Sequence, residues 1–140
     1  MNKLYLALKE SLNDHIQKGV IPKLIFEWDY NQTDEVRLRT RQYPSILFKI
    51  NNVVYSDPED KYLTGDMEFL VKVIFKGIND PSSQHKISEG LLLLKQITSI
   101  LRSIESDETG PILIKKVEAL TIGKEVICYQ FTCSASYYLI

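Results

Sequence analysis

Apolar residues recur at four-residue steps near the start of the chain, at Leu4, Leu8, Leu12 and Ile16, while Lys9, Asn13, Asp14 and Gln17 take the other faces. That spacing predicts an amphipathic helix over residues 3–18, with Gly19 as its stop. After Pro22 the period changes to two: Leu24, Phe26 and Trp28 alternate, which predicts a first strand within Lys23 to Tyr30. From Asn31 to Gln42 no apolar face is offered, and this stretch reads as a long loop or exposed arm. Tyr43-Pro44 then starts a strand over Ser45 to Ile50. Asn51-Asn52 carries a turn signal, with Val53 to Tyr55 as a continuation before the loop Ser56 to Asp60.

The clearest alternation runs from Asp66 to Lys76. Met67, Phe69, Val71, Val73 and Phe75 share one face, and Glu68, Leu70, Lys72, Ile74 and Lys76 the other, so one face is core and the other partly wet. Asp80-Pro81 is a cap residue followed by a proline suited to a first helical turn. A second helix begins there or within a turn, its stripe drawn by Ile87, Leu91, Leu94, Ile97, Leu101 and Ile104, with Gly90 permitting close packing. Ser106 to Pro111 is a polar loop, and Ile112 to Ile122 and Lys124 to Tyr138 read as two strands joined at Gly123. The predicted order is helix, three strands, helix, two strands: an α+β fold in which an antiparallel or mixed sheet of about five strands packs with two helices. No repeat, low-complexity segment or linker divides it, so residues 1–140 read as one domain.

Composition narrows the classes without naming one. A chain of 140 residues, 44% hydrophobic and 25% charged, is long enough to bury a core without disulfide or metal. A net charge of −1 gives no general attraction to nucleic acid or anionic lipid. Every apolar run meets a charge too soon to cross a bilayer, and Lys9 and Glu10 interrupt the N-terminal run before a signal-peptide core forms, so the expectation is a cytoplasmic protein without membrane contact. Cys128 and Cys133 lie in one predicted strand. Five residues there span roughly 16 Å against a disulfide limit of about 7 Å, so they cannot pair with each other. Their odd spacing puts them on opposite faces as reduced thiols.

Candidate chemistry is sparse. His15 and His85 fall in different elements without metal-ligand spacing, and no phosphate loop, nucleophile elbow or His-Glu-x-x-His pattern occurs. Acidic pairs such as Asp57 with Glu59, and Asp107 with Glu108, lie in predicted loops, where they keep the chain solvated. The expectation is a protein without catalytic residues, cofactor or metal. Arg37, Arg39 and Arg41 alternate, so an extended arm projects all three to one side, towards phosphates, an acidic protein ring or simply solvent. Tyr137-Tyr138-Leu139-Ile140 either completes the sheet or meets a partner.

In its order of elements the chain resembles the tail-terminator and tail-completion (minor tail) proteins of long-tailed bacteriophages. The resemblance is one of pattern over nearly the whole length. It is carried by the helix Leu4 to Lys18, the strand start Tyr43-Pro44-Ser45-Ile46-Leu47-Phe48, and the strand Met67 to Phe75. The helix Ile87 to Ile104 and the closing hairpin, in which Gly123-Lys124-Glu125 turns into Val126 to Thr132, complete it. The stretch Asn31 to Gln42 is longer than the family's pattern. The resemblance implies a structural virion protein, a homo-oligomer of six copies in a ring that caps the tail tube and joins it to the head connector. Its partners would be itself, the tail-tube protein and the head–tail connector protein, with no specific nucleic acid. Its place would be the head-proximal end of the tail in the virion, and the bacterial host cytoplasm during assembly. Arg37, Arg39, Arg41, Asp57, Glu59, Tyr137 and Tyr138 are the interface residues this implies. The alternative class is a nucleic-acid or regulatory binding module of phage or prophage origin.

Overall fold

A computed structural model describes residues 2–29, 44–55, 64–76, 83–106, 109–121 and 126–138. The chain runs α1 (Asn2–Gln17), β1 (Ile25–Trp28), β2 (Ser45–Tyr55), β3 (Thr64–Lys76), α2 (Ser83–Ser103), β4 (Leu113–Thr121) and β5 (Val126–Tyr138). This is the α+β order that the hydrophobic pattern predicts, and one five-stranded sheet holds all the strands in the order β1-β2-β3-β5-β4. The sheet is mixed: β1 pairs parallel to β2, and every other neighbouring pair is antiparallel.

α1 forms because its four-residue apolar step buries Leu4, Leu8 and Leu12 in the core. It ends where Gly19 takes φ 73°. Val20 N–H then donates to His15 O (3.0 Å) and Gly19 N–H to Ile16 O (3.1 Å), the paired bonds that satisfy the last free carbonyls of a helix. Tyr5 stacks on Phe26 and Trp28 of β1, with centroids 4.9 and 4.6 Å apart, and Phe48 of β2 meets all three rings edge-on. The aromatic wedge fixes α1 over the β1–β2 side of the sheet.

α2 covers the same face further along. Phe75 of β3 lies under Gly90, where a Cβ would overlap the ring, so the glycine is what lets the helix sit this close. Its buried stripe is Leu93, Leu94, Ile97, Ile100, Leu101 and Ile104. Leu91, predicted to be on the stripe, is exposed together with Leu92. Leu94, Ile97, Leu101 and Ile104 of the predicted stripe are buried, and Leu93, on the same side as Gly90, takes the place expected of Leu91.

Asn51-Asn52 is not a turn. β2 runs through it, and the register shifts between Ile50 and Asn52, so Asn51 is the extra residue of a bulge that keeps Val53 on the core side of the continuing strand. On β3 the alternation is realised as expected: Met67, Phe69, Val71 and Val73 are buried against the helices with Phe75. Phe131, Cys133 and Ala135 of β5 join the same core. Cys128 belongs instead to a smaller cluster with Leu47 and Ile74 on the opposite face. Both thiols are free and buried, on opposite faces as their spacing requires.

Candidate functional site

The sheet face turned away from the helices carries charged side chains beside the small buried cluster of Leu47, Ile74 and Cys128. Strand pairing aligns its side chains into rows. Glu27, Leu47, Lys72, Gln130 and Glu118 occupy one register row across all five strands. Lys49, Leu70, Thr132 and Lys116 form the next. The first row carries both signs, Glu27, Lys72 and Glu118, with Leu47 and Gln130 between them, whereas the charges of the second row are the lysines Lys49 and Lys116.

Three contacts tie this face together. Glu68 of β3 accepts from Asn51 Nδ2 (2.7 Å) and from Lys115 Nζ (3.5 Å), linking β2, β3 and β4. The Asn51 hydrogen bond, with Lys115 behind it, outweighs the small cost of burial and holds the Glu68 carboxyl below its ordinary value of 4.5. On the far side Gln130 Nε2 donates to Glu118 Oε1 (3.4 Å), which also faces Lys116 Nζ at 3.4 Å. The third contact is buried: Lys72 Nζ lies 2.9 Å from Asp29 Oδ2, with side-chain exposures of only 12% and 2%. Asp29 is placed there because its N–H donates to Phe48 O (2.8 Å), extending the β1–β2 ladder by one residue.

Cys128 sits near this pair. Burial pushes its thiol up to about 11, against the opposing pull of Lys72, and burial alone pushes Cys133 up to about 12. A thiol so raised is neutral near pH 7 and a poor nucleophile. His15 Nδ1 is occupied by Ser11 O at 2.7 Å, a helix-internal bond. Among the described residues no three His, Cys, Asp or Glu side chains are placed to hold a metal ion, and no helix is long and apolar enough to cross a membrane. A shallow groove lies between the start of α1 and the end of α2, lined by Lys3, Leu6, Ala7, Glu10, Glu105 and Ser106. The described surface carries a sheet face with charges of both signs and, at one margin, the exposed edge of β4.

Of the residues the sequence singles out, Arg37, Arg39, Arg41, Asp57 and Glu59 lie outside the described residues. Tyr137 and Tyr138 are the last residues of β5, paired in register with Gly65 and Thr64, so the backbone of that apolar end completes the sheet. The Asp29–Lys72 pair was not legible, because its partners are far apart in sequence and meet only through the β1-β2-β3 order. Lys72 on the wetter side of β3 was its one visible sign.

No protein-family description and no curated protein matches the chain. Among solved structures, a chain from the "Virion of native gene transfer agent (GTA) particle" is similar, with a TM-score of 0.60 at 11% identity. The likeness covers 99% of this chain and 96% of that one, so the two share their fold nearly end to end.

Proposed function

We propose that this chain is a one-domain structural subunit of a phage-like virion, and more finely a tail terminator that closes into a ring of six on the tail tube and meets the head connector. The observation that carries the reading is the near-complete, two-way coverage of the fold it shares with a chain of a gene transfer agent virion. The described surface supports a binding role: charges of both signs on the sheet face away from the helices, and two buried thiols held neutral. A ring demands a head-to-tail contact between unlike patches of neighbouring subunits. Within this reading the sheet edges and loops make the subunit contacts, and the charged loops with Arg37, Arg39, Arg41, Asp57 and Glu59 face the channel or the neighbouring ring.

The test is the triple substitution Arg37→Glu, Arg39→Glu and Arg41→Glu. It should abolish the ring-sized species seen by light scattering while leaving the circular dichroism spectrum and thermal midpoint unchanged. An assembled species of unchanged mass would remove the arm from the interface. Salt-dependent filter binding of DNA or RNA by the intact chain would instead favour the nucleic-acid class.

A further inference from the structure

β4 is the margin of the sheet. Among the described residues it pairs only with β5, and Leu113, Lys115, Lys116, Val117 and Ala119 along it are exposed. An open strand edge presents a row of backbone donors and acceptors, and lysines on such an edge ordinarily discourage pairing. Here one lysine is committed elsewhere, because Lys115, the extra residue of the bulge between Ile114 and Lys116, reaches across its own sheet to Glu68. The other, Lys116, is followed two residues on by Glu118. The two share a face, 60% and 41% exposed, with half-exposed Val117 between them on the other.

That arrangement is self-complementary. When two identical strands pair antiparallel about a two-fold axis perpendicular to their common sheet, directly opposed residues share a face, so the axis must pass through a residue position. Centred on Lys116 or on Glu118, the pairing sets like charges opposite each other. Centred on Ala119, it leaves both charges without an opposite. Centred on Val117, it sets Lys116 against the other copy's Glu118 and Glu118 against the other copy's Lys116, and brings the two valines together on the far face. Charge complementarity therefore selects one register.

We propose that two copies of this chain pair antiparallel along their β4 edges, about a two-fold axis at Val117, with Lys116 and Glu118 exchanged as cross-strand ion pairs. Such a contact is isologous and cannot close a ring, so it is a second interface and does not rest on the ring reading. It joins two five-stranded sheets into one continuous sheet and carries the charge-patterned face across the dimer.

The test combines register and charge. Val117→Cys, a surface change, should give a disulfide-linked dimer on mild oxidation, whereas Leu113→Cys, eight register positions from its own copy, should stay uncrosslinked; the native thiols are buried and silent. In sedimentation equilibrium Lys116→Glu and Glu118→Lys should each weaken the dimer by about thirtyfold. The double variant Lys116→Glu/Glu118→Lys should restore it, because the exchange re-forms both pairs with their signs reversed. A wild type that stays at the mass of one chain, a Leu113→Cys variant that crosslinks as readily as Val117→Cys, or a double variant as weak as the singles would overturn the proposal. Where the ring also forms, β4 pairing joins its subunits to further copies, and the weakened variants fall back to the mass of one ring rather than of one chain, so the two readings fail separately.

Discussion

On the face beneath the helices, Phe48 touches the rings of Tyr5, Phe26, Trp28 and Phe69, and its neighbours along the sheet are apolar and buried. On the opposite face β3 and β5 present Lys72, Glu68 and Gln130, held by hydrogen bonds and ion pairs. Both faces order the same backbone, but by different means. Area burial is non-directional and large, so the helix face sets stability. Charge pairing is directional and small where wet, so the open face sets register and the choice of what can approach it. The Asp29–Lys72 pair differs from the other ion pairs of that face in being buried, as are Leu47, Ile74 and Cys128 on the same side.

Substitutions should separate these roles. Phe48→Ala removes the hub of the aromatic wedge and should cost about 4 kcal/mol in urea unfolding, the largest single effect here. Lys72→Met takes the ammonium away from the buried Asp29 carboxylate and should cost about 3 kcal/mol, whereas Asp29→Leu with Lys72→Met should recover much of the loss. If the single variant is neutral, the pair behaves like the rest of its face. Gly90→Ala forces a methyl into the Phe75 ring and should cost about 2 kcal/mol, relieved by Phe75→Leu in the same chain.

The smallest effect belongs to Glu68 and is read by pH. Its folded carboxyl is held below 4.5, so its contribution is present above the unfolded value and is lost as pH falls through the folded one. Wild type and Glu68→Gln should therefore differ in urea midpoint at neutral pH and converge as the solution is acidified through the carboxylate range. A difference that grows on acidification would reverse the assignment.

The parts of this fold that were legible are those written in local periodicity. Leu4, Leu8 and Leu12 specify α1, the alternation from Met67 to Phe75 specifies β3, and the five-residue spacing of Cys128 and Cys133 specifies opposite faces. What escaped is set by partners distant in the chain. Nothing local says that β1 lies parallel to β2, or that β5 inserts between β3 and β4. The bulge at Asn51 depends on Glu68 across the sheet, and the exposure of Leu91 depends on Gly90 meeting Phe75. The candidate surfaces follow the same division: the Arg37 to Arg41 pattern was visible as a motif, while the charge rows and the β4 edge exist only once the strands are ordered.

The central claim is that this subunit works by closing into a ring, and the most direct measurement is light-scattering mass over a wide concentration range, with negative-stain imaging of the heaviest species. With the β4 contact weakened by Lys116→Glu, the expected species is near six times the 16.2 kDa chain mass and images as a closed ring with rotational symmetry. A mass that never exceeds one or two chains at any concentration, or a heavier species that images as open filaments, would contradict it.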